Sequence, residues 1–338
     1  MEEKIEKTFE TPEGCDLVVK NVRGEIKVEG WDQPTTEVIA IRRKGKAEIE
    51  IFQEGRQVTA RIKDEQNGLG VLAMFTKGSI PVVDFRVRVP ISSNAQLTNV
   101  NGTIRATQIS GKCKINNVDG SAVLDRVTGE IHVETVNGTL ETKEISGSAD
   151  LKTVNGKMKV RGETLDHLHA HTVNGDIRIA ATLDGSGDYG FHTVNGSCKL
   201  YVEPSFRAHV SAHGVNLSVD CQLPSESVSR KFGRWEGTIG TGDGPLAEVA
   251  FHTVNGKLRI LTDGEGEAFT AKAETAEPTT EPVAVKVEEP VEPATEQIEV
   301  KVDEPAPAPE QTKAEILQMV ERGEISVEEA IKLLPGAR

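Results

Sequence analysis

Histidine has the broadest chemistry available to this chain, because an imidazole binds metals and moves protons near neutral pH. Eight are present. His171, His192 and His252 each open the same word, HTVNG. If copies of that word stack, these imidazoles align at one corner. A metal centre needs three or four ligands in fixed geometry, so a polar corner ladder is the expectation and His171, His192 and His252 are the metal candidates. His167 and His169 extend them into an alternating HLHAH.

Acids come next. Two positioned carboxyls cleave glycosides, and Glu130, His132 and Asp150 fall on one predicted face. Scattered acids on a wet face are the commoner arrangement. A third group is basic: Arg105, Lys159, Arg178 and Lys199 recur at one repeat position, as a stripe for anionic polymer or lipid headgroups. Exposed Lys and Arg also protect β surfaces from aggregation. Cys113 and Cys198 sit at inward repeat positions, while Cys15 and Cys221 lie outside the regular array. No C-x-x-C occurs, and free thiols suit a reducing compartment. Gly240, Gly242 and Gly244 lack the Lys-Ser/Thr of a phosphate loop and read as a turn. No motif implies a cofactor.

The elements that must position these groups are set by a beat of glycines. Gly102, Gly111, Gly120, Gly129, Gly138, Gly147 and Gly156 are nine residues apart, and Gly175, Gly196 and Gly256 carry the motif onward at looser spacing. Alternate units are the more alike, which makes the period 18. Counted from each Gly, positions +2 and +4 are mostly apolar (Ile104 and Ala106, Leu140 and Thr142), with polar residues between them. That alternation marks half-buried strands. Val or Ile at −2 reads as inward too, with the Gly itself inward on a continuing strand. An Asn-Gly hairpin meander is the rival, but it would put −2 and +1 on one face, and +1 is polar. The expectation is therefore an all-β solenoid of parallel β-helix type, with two strands per coil of about 18 residues and an Asn ladder outside.

Four regions follow. Residues 1–95 start and cap the solenoid, and 96–262 form the repeat array, with 201–262 at its far end. Residues 263–312 hold 14 acids, 3 bases and 7 of the 15 prolines, the composition of a disordered acidic linker. Residues 313–338 read as a helical hairpin. Gly323 stops the first helix and Ser326 with Glu329 caps the second. Leu317, Val320, Ile331 and Leu334 give it an apolar docking face. Short helices need tertiary packing, so a protein partner or a second copy is expected there.

Composition narrows the classes. The formal net charge is −14 and aromatics are 4%, which disfavours sequence-specific nucleic-acid binding and sugar-stacking platforms. No apolar run reaches the roughly 18 residues of a membrane span. The opening MEEKIEKTFE has no apolar signal region. A cytoplasmic location is expected, with membrane association through a partner as the variant and an anionic polymer or membrane surface as a further candidate partner.

The segment FETPEGCDLVVKNVRGEIKVEGWDQP and the TVNG array resemble the bacterial adhesin-like β-strand-repeat family, over about residues 5–262. The ending ILQMVERGEISVEEAIKLL resembles a SHOCT-like helical hairpin. The first resemblance implies a β-solenoid without established catalytic residues. The second implies docking or oligomerisation, in proteins some of which are linked to envelope stress. The reading is a non-catalytic interaction protein. Its alternatives are an envelope-stress component binding anionic lipid or polymer, and a polysaccharide-active β-helix enzyme.

Overall fold

A computed structural model of the chain describes residues 3–63 and 80–262. The linker 263–312 and the hairpin 313–338, with Leu317, Val320, Ile331 and Leu334, lie outside the described residues. The chain divides into two units, Met1–Phe269 and Thr270–Arg338, and every described element belongs to the first. Among the described residues all regular structure is β, and no helix is long and apolar enough to cross a membrane.

The opening region supplies β1 (Glu3–Glu10), β2 (Asp16–Arg23), β3 (Ile26–Trp31), β4 (Thr35–Lys44), β5 (Ile49–Glu54), β6 (Gln57–Ile62) and β7 (Val82–Pro90). The array supplies β8 (Asn94–Asn101), β9 (Ile104–Ser110), β10 (Cys113–Asp119), β11 (Ala122–Asn137), β12 (Leu140–Asn155), β13 (Met158–Asn174) and β14 (Ile177–Val202). Then come β15 (Ala208–Cys221), β16 (Ser225–Lys231), β17 (Arg234–Ile239) and β18 (Ala247–Thr262).

The array is a two-faced parallel solenoid. On the first face Ala95, Cys113, Ile131, Ala149, Leu168 and Tyr189 pair in turn across parallel strands. On the second, Ile26, Ile104, Ala122, Leu140, Met158 and Ile177 do the same. These columns are buried and meet in one core. Parallel pairing at an offset of one coil excludes the Asn-Gly meander.

The +2 and +4 positions are inward as the alternation requires: Ile104, Ala106, Leu140 and Thr142 are all buried. The phase at the Gly differs from the sequence expectation. In the TVNG copies the inward residue is at −3, where Asn99, Asn117, Thr135, Thr153, Thr172, Thr193 and Thr253 form a buried polar column. At −2, Val100, Val118 and Val136 lie on the strand's other side and are half-buried, while Val154 and Val173 are buried there without joining the core. Alternation therefore stops at the Gly, which is a corner. At the first two of these corners the side-chain amides of Asn99 and Asn117 donate to a corner carbonyl, Gly24 and Gly102 respectively, whereas the Thr hydroxyls of the later corners are buried without a hydrogen-bond partner. In the intervening copies Ile109, Val127 and Ile145 at −2 are buried as expected.

Gly138 shows why the corner takes glycine. Its φ is 153°, and a methyl group there would run into the carbonyl oxygen of Gly120 one coil below. At the opposite corner Gln108, Arg126 and Glu144 take φ of 56°, 52° and 51° once per coil.

Outside the first corner runs the Asn ladder. Each amide donates to the side chain one coil away: Asn137 to Asp119, Asn155 to Asn137, Asn174 to Asn155 and Asn195 to Asn174, at 2.9–3.1 Å. It continues from Asn255 to Asn195 and from Asn216 to Asn255.

That last step exposes a break in chain order. β18 lies between β14 and β15 and is parallel to both. The last TVNG copy is thus an interior coil, and the far end is closed instead by antiparallel β17 and β16 stacked on β15. The opening region does the same at the other end. The β2–β3 coil sits between β8–β9 and the later strands β6 and β7, with β4 and β1 outermost on one face.

Candidate functional site

Alternation along the first face turns all eight histidines to its outward side. They are His132 on β11, His167, His169 and His171 on β13, His192 on β14, His252 on β18, and His209 and His213 on β15. The registers His171–His192–His252–His213 make four of them one column. His171 stacks on His192 with ring centroids 5.7 Å apart, and His192 on His252 at 4.7 Å. His213 meets His252 edge-on at 5.3 Å. Burial among these rings, and then the neighbouring imidazole charges, push the His192 pKa down to about 4. A metal ion is bound in the plane of an imidazole, and stacked parallel rings do not aim their nitrogens at one point. The stack of His171, His192 and His252 is therefore a ladder of polar rings.

His213 was not anticipated. Its segment AHGVNL keeps the His and Asn of the repeat but has Leu217 where the Gly belongs.

The acid candidates divide. Glu130 pairs with Lys112 at 2.7 Å, away from the others. His132 lies between Asp150 (3.3 Å) and Glu134 (3.1 Å), and Lys152 approaches both carboxylates at 3.5 and 4.0 Å. Hydrogen bonds to Asp150 and Glu134 raise the His132 pKa to about 9, and the same contact lowers both acids. A glycosidase acid must have its pKa raised so that it carries a proton. Here both carboxylates are ionised around a cation, which is the electrostatics of a structural network.

On the second face, Lys159 and Arg178 are register neighbours, as are Lys199 and Arg259. The pairs adjoin where the Gly175 and Gly196 corners stack. Arg259 is a fourth member that the +3 position after Gly256 would have shown. Arg105 is not contiguous with these residues, because Val123 and Glu141 intervene in its column, and it pairs with Glu25 at 3.1 Å. Among the described residues, Lys159, Arg178, Lys199 and Arg259 have no carboxylate within salt-bridge distance. Like charges on adjacent strands, whose backbones are about 5 Å apart, repel one another, and salt screens that repulsion.

The thiols are free. Cys113 and Cys198 are wholly buried, and burial raises both pKa values, that of Cys113 to about 12. Gly240, Gly242 and Gly244 lie in the loop between β17 and β18, as a turn. A cavity of about 170 Å³ beside that loop is lined by Leu183, Val202, Phe206, Arg207 and Pro245. It is smaller than the ~300 Å³ at which small-molecule pockets begin.

Fold and surface thus define a two-faced β-solenoid whose recurring side chains form charged and imidazole columns. The family model Toastrack DUF4097 matches residues 10–260, and the chain belongs to that family. A second model, the SHOCT-like domain, matches residues 311–334. No curated protein matches the chain. It is similar to a solved structure provisionally named an adhesin from Bacteroides fragilis, at 10% identity over 77% of this chain and 97% of that one, with a TM-score of 0.33. It is also similar to one from Parabacteroides merdae with the same provisional name, at 10% identity over 77% and 96%, with a TM-score of 0.37. A third, provisionally named a lipid-binding protein from Parabacteroides distasonis, has 13% identity over 76% and 96%, with a TM-score of 0.37.

Proposed function

We propose that this chain is a non-catalytic interaction protein whose solenoid presents its second face to an anionic surface, the headgroups of a membrane or an extended anionic polymer. The observation that carries this is the column Lys159–Arg178–Lys199–Arg259, flanked by Glu141 and Asp220 at its two ends but with no carboxylate within salt-bridge distance of its four members among the described residues. A partner with repeated phosphates or carboxylates relieves the repulsion along the column and releases counterions, so binding weakens as salt rises. The test is sedimentation with anionic and with neutral vesicles, and with a soluble polyphosphate. Arg178→Glu combined with Lys199→Glu is expected to lower binding to the anionic probes at least tenfold. Binding that ignores both salt and this substitution sinks the reading.

The SHOCT-like match and the apolar residues Leu317, Val320, Ile331 and Leu334 support a second element, a docking or self-association arm. Deleting 313–338 is then expected to reduce oligomer mass in light scattering. An unchanged mass, together with unchanged partner capture, removes the arm from the proposal. Four free thiols support a reducing, cytoplasmic setting for this work.

A further inference from the structure

We propose that His167, His169 and Asp188, on the outward side of the first face, bind a divalent transition-metal ion, with zinc the best fit. Residues two apart on a strand share a side, so the HLH of β13 puts both imidazoles out while Leu168 enters the core. The register then sets Asp188 of β14 directly opposite His167. His169 Nε2 lies 3.4 Å from Asp188 Oδ2, and His167 Nδ1 lies 3.9 Å from the same oxygen. One ligand atom from each residue falls within 4.8 Å of the other two.

Those separations are long for hydrogen bonds. They are close to the edges of a coordination tetrahedron, where bonds of about 2.1 Å place ligand atoms roughly 3.4 Å apart. The rings are tilted by 49°, with centroids 4.2 Å apart, so their in-plane lone pairs can converge, unlike those of the neighbouring stack. All three residues are solvent-accessible, and small side-chain rotations bring the longer separations in without moving the backbone.

Gly190 is an independent mark of the site. It is the register partner of His169, and a methyl group there would lie 2.8 Å from the ring's Cδ2 and 3.0 Å from its Nε2. The same outward column holds Asp150 one coil before His169 and Ala250 one coil after Gly190. The absent side chain is what lets His169 lie toward Asp188. Two imidazole nitrogens and one carboxylate oxygen suit zinc among the divalent ions. They also leave a coordination position open to water or to a ligand from a partner.

The test is calorimetric titration of the metal-stripped full chain with Zn²⁺ at neutral pH, and with Co²⁺, whose visible absorption reports coordination. One ion per chain is expected. His169→Ala and Asp188→Asn should each weaken binding at least tenfold while leaving the melting temperature in chelator unchanged. Gly190→Ala, which touches no metal, should also weaken it by displacing the His169 ring. His192→Ala, within the stack, should leave affinity and the Co²⁺ spectrum as they were. Absence of binding heat, affinity indifferent to His169→Ala and Asp188→Asn, or loss in His192→Ala instead would each overturn the assignment.

Discussion

His132 gains its partners from three different strand positions. Glu134 is two residues along its own strand, Asp150 is its register neighbour one coil on, and Lys152 completes the ring of charges. Its folded pKa of about 9 exceeds the ordinary 6.5 of the unfolded chain. The stabilisation is therefore complete below about pH 6.5 and is lost as pH rises through about 9. Its size is on the order of 1 kcal/mol after solvent screening, or roughly 2–4 °C in Tm for a domain of this size. Melting curves across that window should show the loss in the native chain and a flatter response in His132→Gln; matching slopes would refute the account. The lowered Glu134 and Asp150 act in the other direction, and their share disappears as acid protonates them. At this scale the sequence was only partly readable. His132 and Asp150 were found together, but Glu130 was not separable from them, because only register decides which acid an imidazole meets. Thr at −3 and Val at −2 have nearly the same shape, so hydropathy chose Val for the interior. The corner carbonyls that Asn99 and Asn117 reach account for the polar residue at those two corners, whereas the Thr hydroxyls of the later coils are buried without a hydrogen-bond partner and nothing in the structure explains their place.

The element that repeats is a strand, a corner and a strand, and the corner tolerates the least change. Gly138→Ala should cost about 3 kcal/mol or more, because positive φ and backbone overlap penalise the same methyl group. Its Tm, compared with that of an alanine substituted for exposed Lys159, checks this; equal midpoints would refute the corner account. Coil architecture was legible from the glycine beat, because glycine is a steric necessity at the Asn corner of each coil except that of β15, where Leu217 replaces it. The extra residues that lengthen coils from 18 to 19 and then 21 were visible as spacing. They appear in the structure as register shifts near Ile145 and Gly162.

For the solenoid as a whole, stability depends on both faces being closed off at their ends. A chain truncated after residue 246 lacks β18 and leaves β14 and β15 each with an unpaired edge. Parallel edges of this length invite aggregation. Such a chain should melt in a broad transition and pellet at concentrations where the native chain stays in solution. A sharp, single melt would show that the far-end strands are dispensable. The sequence did not reveal this arrangement. TVNG at 253–256 looks like any other copy, and nothing local specifies which neighbours a copy will have.

The late arrival of β18 bears on how the molecule is made. A solenoid laid down in chain order could wind up behind the ribosome, each turn templating the next. Here β15 has no permanent seat until a strand translated some forty residues later slips in beside it. The final turns must be assembled like an arch, held open until its keystone is set, and the slowest step of folding should fall there.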